Sequence, residues 1–394
     1  MSVHTASAWP EARRRLLSGF AGSQQFMQGD VAVAIGALYA GCDFFGAYPI
    51  TPASEIAETM SNMLPQVGGK FVQFEDELAS VSAILGAAWA GSRSMTATSG
   101  PGFSLMQENI GYAVMTETPT VIVDVQRSGP STGQATLPAQ GDFYQARWGT
   151  HGDHEAIALS PWSAQESFEL TIEAFNLAER FRQPVLLMTD GETGHSRERV
   201  AFPDPADVTI VPREFADDAS QAFGGATVPK MVRFGEGTAV HVTGSTHVAN
   251  GLRQATQPAV HDELIRRVTG KIADAREELT RLDTLLDGGE KVIVISHGIS
   301  ARPAYGAVQE LRAAGHPVGL IRVIGLWPFP GPRLATLCEG AAAVVVPEMN
   351  LGQMNREIER YVDCPVVGLN KIGGHVFHQS EIASEALAAL GRSA

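Results

Sequence analysis

The stretch FFGAYPITPASEIAETMSNML (residues 44–64) passes from a β-rich run to a helical one across two prolines, and its reading decides the fold. Phe44 to Tyr48 reads as a strand, while ASEIAETMSNML (53–64) carries apolar residues at helical spacing. The same step recurs along the chain. SMTAT (94–98), TVIVDV (120–125) and VLLMT (185–189) are strand candidates, as is the end of a strand at Phe71 and Val72. VAVAIGALYAG (31–41), ELASVSAILGAAWAG (77–91), SLMQENIGYAVM (104–115) and SAQESFELTIEAFNLAERF (163–181) have helical periodicity. Such alternation predicts an α/β fold, a parallel sheet doubly wound with helices.

A second alternating unit begins at KVIVISHG (291–298) and continues through VGLIRV (318–323), AAVVVPE (342–348) and CPVVGL (364–369), with helical segments at 301–314 and 351–361. It predicts a smaller α/β domain. Between the units lie a Pro-, Asp- and Gly-rich segment (203–245) and a polar, helix-like stretch at about 260–287. The expected organisation is an N-terminal arm (1–27), an α/β domain (28–202), a linker with a helical segment (203–288) and a second α/β domain (289–394).

The 394 residues, 44% hydrophobic and 18% charged, suffice for two or three cores. No apolar run approaches the roughly 20 residues that span a bilayer, which predicts a soluble protein. MSVHTASAWPEARRRLL (1–17) has arginines but no apolar stretch for a secretory leader, and reads as a loose arm or a partner-contacting extension. A net charge of −14 without a basic stripe argues against nucleic acid as a partner. Cys42, Cys338 and Cys364 are too scattered for a disulfide framework or a four-cysteine iron–sulfur site, and fit a reducing cytoplasm. His151, Asp153 and His154 of HGDH are residue types that can ligate a metal, but loop histidines beside glycine are commonly structural, and no metal site is assigned.

Ligands gather at the carboxyl ends of strands in open α/β sheets, which directs attention to AYPITP, TSGPG (98–102), QRSGPSTGQAT (126–136) and DGETGH (190–195). Thr51 has two readings: its hydroxyl caps a helix starting at Pro52, or it meets a small polar ligand from a backbone held by Pro49. Gly100 and Gly102 would let the backbone approach a ligand at a helix mouth. Arg127 is one cation among small residues, fit either for a surface salt bridge or for a two-pronged grip on a carboxylate. In FEDELAS (74–80), Glu77 opens a helix of small residues (Ala79, Ala83, Ala87, Ala88) expected to be buried. Glu77 either complements the helix dipole or is a half-buried acid with a raised pKa, able to share a proton with a heterocyclic nitrogen.

Taken in order, YPITPASEI, FEDELAS, AGSRSMTATSGPGFSLMQENIG, QRSGPSTG, QARWGTHGD and GHSRERV resemble the alpha subunit of 2-oxoacid:ferredoxin oxidoreductases, closest to the 2-oxoglutarate type. The resemblance is strong over about 28–200 and looser through GLWPFP (325–330) and EMNLGQMNREIE (348–359). It implies a thiamine diphosphate enzyme: a pyrimidine-binding domain, then one like the C-terminal domain of transketolases. Glu77, with Gly86 nine residues later, matches the glutamate that hydrogen-bonds the aminopyrimidine N1′ and favours its imino tautomer. Thr51, Arg127 and Thr136 match residues of the 2-oxoacid pocket, and Pro49, Ile50, Ser99 and Gly100 are cofactor-contact candidates.

No G-D-G motif with a downstream Asn is present to hold Mg2+ and the diphosphate. In the family these, and a 4Fe-4S cluster, belong to a beta subunit. The resemblance therefore implies a protein active only with that subunit, ferredoxin as electron acceptor, and further ferredoxin-like or flavin subunits as additional partners. The implied reaction converts 2-oxoglutarate and coenzyme A to succinyl-CoA and CO2. A branched-chain 2-oxoacid, an aryl glyoxylate, or a non-catalytic scaffold role are the alternatives.

Overall fold

On the strand Thr120–Ser128, Val121, Val123 and Val125 join one hydrophobic cluster while Ile122 joins another, and every residue is buried. Pro184–Asp190 repeats the pattern, with Val185 and Leu187 on one side and Leu186 and Met188 on the other. A strand dry on both faces belongs inside a helix-covered parallel sheet.

The computed structural model describes residues 9–392 and places these strands at the centre of that sheet. Ile157–Leu159, Pro184–Asp190, Thr120–Ser128, Ser94–Thr98, Phe44–Ala47 and Lys70–Gln73 run parallel in that order. The helices Gly29–Tyr39 and Ala164–Phe181 cover one face, and Glu77–Trp89 and Gly100–Met115 the other. Gly36 is needed where the first pair cross, since a Cβ there would press 2.5 Å from the Phe168 carbonyl oxygen. Ser163 caps Ala164–Phe181 by accepting the Glu166 N–H at 3.2 Å, and Phe168, Ile172, Phe175 and Leu177 are buried as the periodicity predicts.

The second sheet runs Leu282–Leu285, Val318–Val323, Val292–His297, Ala343–Glu348, Val366–Asn370, all parallel except the first. Within the stretch expected to be helix-like, Pro258–Ala273 and Arg276–Leu279 are helices, but Leu282–Leu285 is an edge strand. Its antiparallel pairing with Val318–Val323 overrides a sequence that lacks clear alternation. Gly325–Trp327 leaves this sheet and pairs antiparallel with Ile157–Leu159 of the first. One hydrophobic cluster accordingly spans Ile122 and Met188 together with Ile295, Val323, Trp327 and Phe329.

The N-terminal arm also differs from expectation. Residues 1–8 lie outside the described residues, but Glu11–Ser18 is a helix and Gln24–Gln28 pairs antiparallel with Arg197–Ala201. Leu17 enters the main core, and Arg13 donates to the carbonyls of Leu38 (2.9 Å) and Cys42 (2.6 Å). The arginine side chain there completes a helix C-terminus, which a charge count cannot reveal.

Helix Pro258–Ala273 is fastened by a buried ion cluster. Lys271 Nζ and Arg267 Nη2 meet the fully buried Glu117 carboxylate at 2.9 and 2.6 Å. Burial opposes the Glu117 charge, but Lys271, Arg267 and Arg182 outweigh it and bring its pKa from 4.5 to about 2. The folded carboxyl is the stronger acid, so its stabilisation is complete above pH 4.5 and lost as pH falls toward 2. A stabilisation of about 3 kcal/mol should therefore fade across that window. Urea titrations at stepped pH should show this slope in the wild type and its loss in Glu117→Gln, which should also be less stable at pH 7 because Lys271 is left buried without its counter-ion.

Candidate active site

Helix Glu77–Trp89 starts with its cap elsewhere than on Glu77. Asp76 Oδ1 accepts the Ala79 N–H at 2.7 Å, which frees the next carboxyl from capping. Glu77 is 5% exposed. Burial pushes its carboxyl above the ordinary value and Asp76 adds to this, against the pull of its own backbone N–H and of Arg127. A Cβ at Gly102 would collide with Glu77 Oε1 and Thr98 Oγ1. Gly102 is thus required so that the Glu77 carboxyl can lie against the first turn of Gly100–Met115. Thr98 Oγ1 and Ser99 Oγ beside it are buried and have no hydrogen-bond partner among the described residues. Buried hydroxyls of this kind are characteristic of places where a ligand completes the bonding. A buried acid, unpartnered hydroxyls and a helix mouth fit the heterocycle of thiamine diphosphate.

The helical face beyond Glu77 is less enclosed than its composition implies. Ser80, Val81, Ile84, Leu85 and Ala88 are buried, but Ala79, Ala83 and Ala87 are only partly so, and Leu78, Ser82 and Gly86 are exposed. One side packs on the sheet and the small-residue side stays open.

Thr51 does not cap a helix. A turn closed by Ala53 N–H to the Ile50 carbonyl (2.9 Å) intervenes, and the helix starts at Ser54 without a side-chain cap. The Thr51 side chain is exposed, and its backbone carbonyl instead accepts from Arg127 Nη1 at 2.7 Å. Arg127, 8% exposed at the end of its strand, has a buried Nε with no partner and, among the described residues, no carboxylate in ion-pair contact. The loop and the strand end are thereby joined, with Glu77 within electrostatic reach of Arg127.

The other candidates spread around this centre. Ile50 packs on the main core, Pro49 is exposed, and Ser99 begins the helix that Gly100 opens. Thr136 is exposed on Gln134–Pro138, a strand folded back on Arg127 and Ser128. Gly100 and Arg127 line a cavity of about 880 Å3 between the two sheets, whereas Thr51, Glu77 and Thr136 do not. Across the cavity stand Asn350, Gln353 and Lys371 from the second half of the chain. Of the HGDH residues, His151 and Asp153 are exposed and His154 is buried, with Nδ1 at 3.2 Å from the Gly152 carbonyl oxygen, a local bond of the structural kind.

The sequence offered no signal for Asp124 and Asp142. Burial first, and then the proximity of Asp142, hold Asp124 well above the carboxylate range; burial also raises Asp142, against Asp124 and Arg127. Two neighbouring carboxyls in so dry a place disfavour charge on both at once. Asp142 lies on the cavity wall beside Gly100. Among the described residues no helix is long and apolar enough to cross a membrane.

With this geometry, comparison with known proteins is specific. The family described as "Pyruvate flavodoxin/ferredoxin oxidoreductase, thiamine diP-bdg" matches residues 35–267, and "Pyruvate:ferredoxin oxidoreductase core domain II" matches 290–382. The chain is 48% identical to the 2-oxoglutarate synthase subunit KorA of Methanocaldococcus jannaschii, over 91% of this chain and 98% of the relative. It is 39% identical to the ketoisovalerate oxidoreductase subunit VorB of Methanothermobacter thermautotrophicus, over 91% and 96%. The solved 2-oxoglutarate:ferredoxin oxidoreductase of Magnetococcus marinus, with 2-oxoglutarate, coenzyme A and succinyl-CoA bound, superposes with a TM-score of 0.89 at 34% identity. That match covers 93% of this chain but 65% of the longer solved one. Sequence and structure together place the chain in the pyruvate flavodoxin/ferredoxin oxidoreductase family, as an oxidoreductase subunit carrying the thiamine diphosphate-binding domain.

Proposed function

We propose that this chain is the alpha subunit of a 2-oxoglutarate:ferredoxin oxidoreductase, which converts 2-oxoglutarate and coenzyme A to succinyl-CoA and CO2 while reducing ferredoxin. The observation that carries the reading is Glu77, a buried acid set against the unpartnered hydroxyls of Thr98 and Ser99. Burial favours its neutral form, which suits a group that shares a proton with a heterocyclic nitrogen. When bound, thiamine diphosphate supplies the carbanion chemistry. Glu77 orients the pyrimidine and sets its proton equilibrium. Arg127, steadied by the Thr51 carbonyl and still holding an unused donor, is placed to receive the substrate carboxylate. Thr51 and Thr136 offer exposed hydroxyls near that position, and Pro49, Ile50, Ser99 and Gly100 shape the cofactor's surroundings.

The rest of the site belongs, on this reading, to a beta subunit that holds Mg2+, the diphosphate and a 4Fe-4S cluster. The open small-residue face of Glu77–Trp89 supports such a partner, because Leu78, Ser82 and Gly86 run uncovered along the helix that the catalytic acid opens. Ferredoxin-like or flavin subunits would complete the electron path. Three cysteines free of disulfides agree with the cytoplasm as the compartment. The choice of 2-oxoglutarate over a branched-chain 2-oxoacid follows the higher identity to the KorA subunit than to VorB.

The complex purified with its native partners should reduce ferredoxin or a dye with 2-oxoglutarate and coenzyme A, and do so better than with 2-oxoisovalerate or an aryl glyoxylate. Turnover that persists without thiamine diphosphate would defeat the proposal. Glu77→Gln should leave the fold intact and lower kcat by roughly 10²-fold or more. Gly102→Ala should act through the same acid, since its methyl displaces the Glu77 carboxyl; a fall in activity with unchanged assembly is expected. Arg127→Ala should raise KM for the 2-oxoacid about tenfold or more and spare cofactor affinity, the loss of one charge-assisted contact. An unaltered KM removes Arg127 from the pocket.

A further inference from the structure

Behind the 47–53 loop, three side chains that the chemistry above leaves unused converge from separate elements. Asp30 lies in the first turn of Gly29–Tyr39, Glu55 in the first turn of Ser54–Met63, and His195 at the end of Gly191–His195. One carboxylate oxygen from each acid and a ring nitrogen of His195 all lie within 4.8 Å of one another. His195 Nε2 is 3.4 Å from Glu55 Oε2 and 3.2 Å from the carbonyl oxygen of Pro52.

Asp30 is the anomaly. It is fully buried, and neither of its carboxylate oxygens has a hydrogen-bond partner among the described residues. Gly194 is packed against it so closely that a Cβ would stand 2.5 Å from Asp30 Oδ1. A buried acid without donors is among the costliest arrangements in a protein interior. The nearby Asp190 brings no relief. Its Oδ1 accepts the N–H groups of Glu192 and Thr193 at 2.9 Å, and its Oδ2 accepts the Thr193 hydroxyl at 3.0 Å, so it is fully engaged and adds only negative potential. A proton on Asp30 would serve one oxygen and leave the other bare, with Glu55 still unneutralised. A cation would draw on all three elements together.

We propose that Asp30, Glu55 and His195 form a binding site for a divalent transition-metal ion, with the Pro52 carbonyl as a further oxygen ligand. One imidazole, two carboxylates and a carbonyl make a mixed nitrogen and oxygen set that suits Zn2+ or Mn2+. Metal–ligand distances of about 2.0–2.2 Å put the ligands of a tetrahedral ion roughly 3.3–3.6 Å apart; the three donor atoms, now within 4.8 Å of one another, reach that spacing by drawing together about 1 Å. The ion would be a structural clamp. It ties the starts of two helices to the turn after Pro184–Asp190, on the loop whose Thr51 carbonyl holds Arg127.

The test uses the native complex, stripped with EDTA and then dialysed against Zn2+ or Mn2+, with metal per complex read by mass spectrometry. Comparison with complexes carrying Asp30→Asn or His195→Ala subtracts whatever the partner subunits hold. Wild type should retain about one more equivalent per alpha chain than either variant. Added metal should raise its melting temperature by several degrees more than that of either variant. Asp30→Asn keeps the side-chain shape and removes a buried charge, so assembly without metal is expected; if it fails, Glu55→Gln at a partly exposed ligand makes the same comparison. Equal metal content in wild type and variants, or a melting temperature indifferent to metal in the wild type, overturns the site and leaves Asp30 a protonated core acid.

Discussion

Gly325–Trp327 departs from its own half of the chain to extend the first sheet beside Ile157–Leu159, and this exchange fixes how the two sheets meet. Trp327 then turns its Nε1 to the Phe143 carbonyl at 3.0 Å, while Phe143, Trp327 and Phe329 pack ring against ring. Gln140 bonds across the same joint. It donates to the His297 carbonyl at 2.9 Å, and its own side-chain and backbone oxygens accept from Ser300 and Asn350. The cavity that Arg127 shares with Lys371 exists because this joint holds the strand ends of one sheet opposite the loops of the other. Burial pushes the His297 imidazole down to about 4, so the joint carries no charge change near neutral pH.

Much of this was legible. Strands such as Thr120–Ser128 and Pro184–Asp190 are bounded by turn residues and buried throughout, so a short apolar run identifies them unaided. The burial of Glu77 was legible as well, because an acid heading a helix of alanines has little polar surface to meet. Other features are written in partners distant along the chain. Leu282–Leu285 alternates poorly and becomes a strand only through Val318–Val323. Arg13 looks like part of a basic arm until the Leu38 and Cys42 carbonyls are seen to accept from it. Asp30 resembles an ordinary first-turn acid, and only tertiary packing sets it beside Glu55 and His195. Thr51 failed as a cap for a local reason: two prolines spaced three apart support a turn as readily as a helix start, and the turn prevails.

Glycine placement separates packing from chemistry. Gly36 is needed for a helix crossing and would be explained in any protein with these two helices. Gly102 differs, because the atoms that occupy its missing Cβ are the carboxyl of Glu77 and the hydroxyl of Thr98, polar groups that a core would not ordinarily bring together. The space was kept for the acid. Gly86 is a third case: it is exposed, and an added Cβ would meet nothing within 4 Å.

That open position bears on why the helix misled composition-based reasoning. A segment as small and apolar as ELASVSAILGAAWAG is costly to leave in water on two sides, yet in the single chain one side remains uncovered. Small side chains allow a neighbouring backbone to approach closely, and the acid at the head of the helix already has its pKa raised by burial. Covering Leu78 with a partner subunit would remove water from beside Glu77, and desolvation of that kind favours the neutral acid. On the proposed function, assembly and chemistry then share one helix: the surface left open for the partner is carried by the same helix that opens with the catalytic acid.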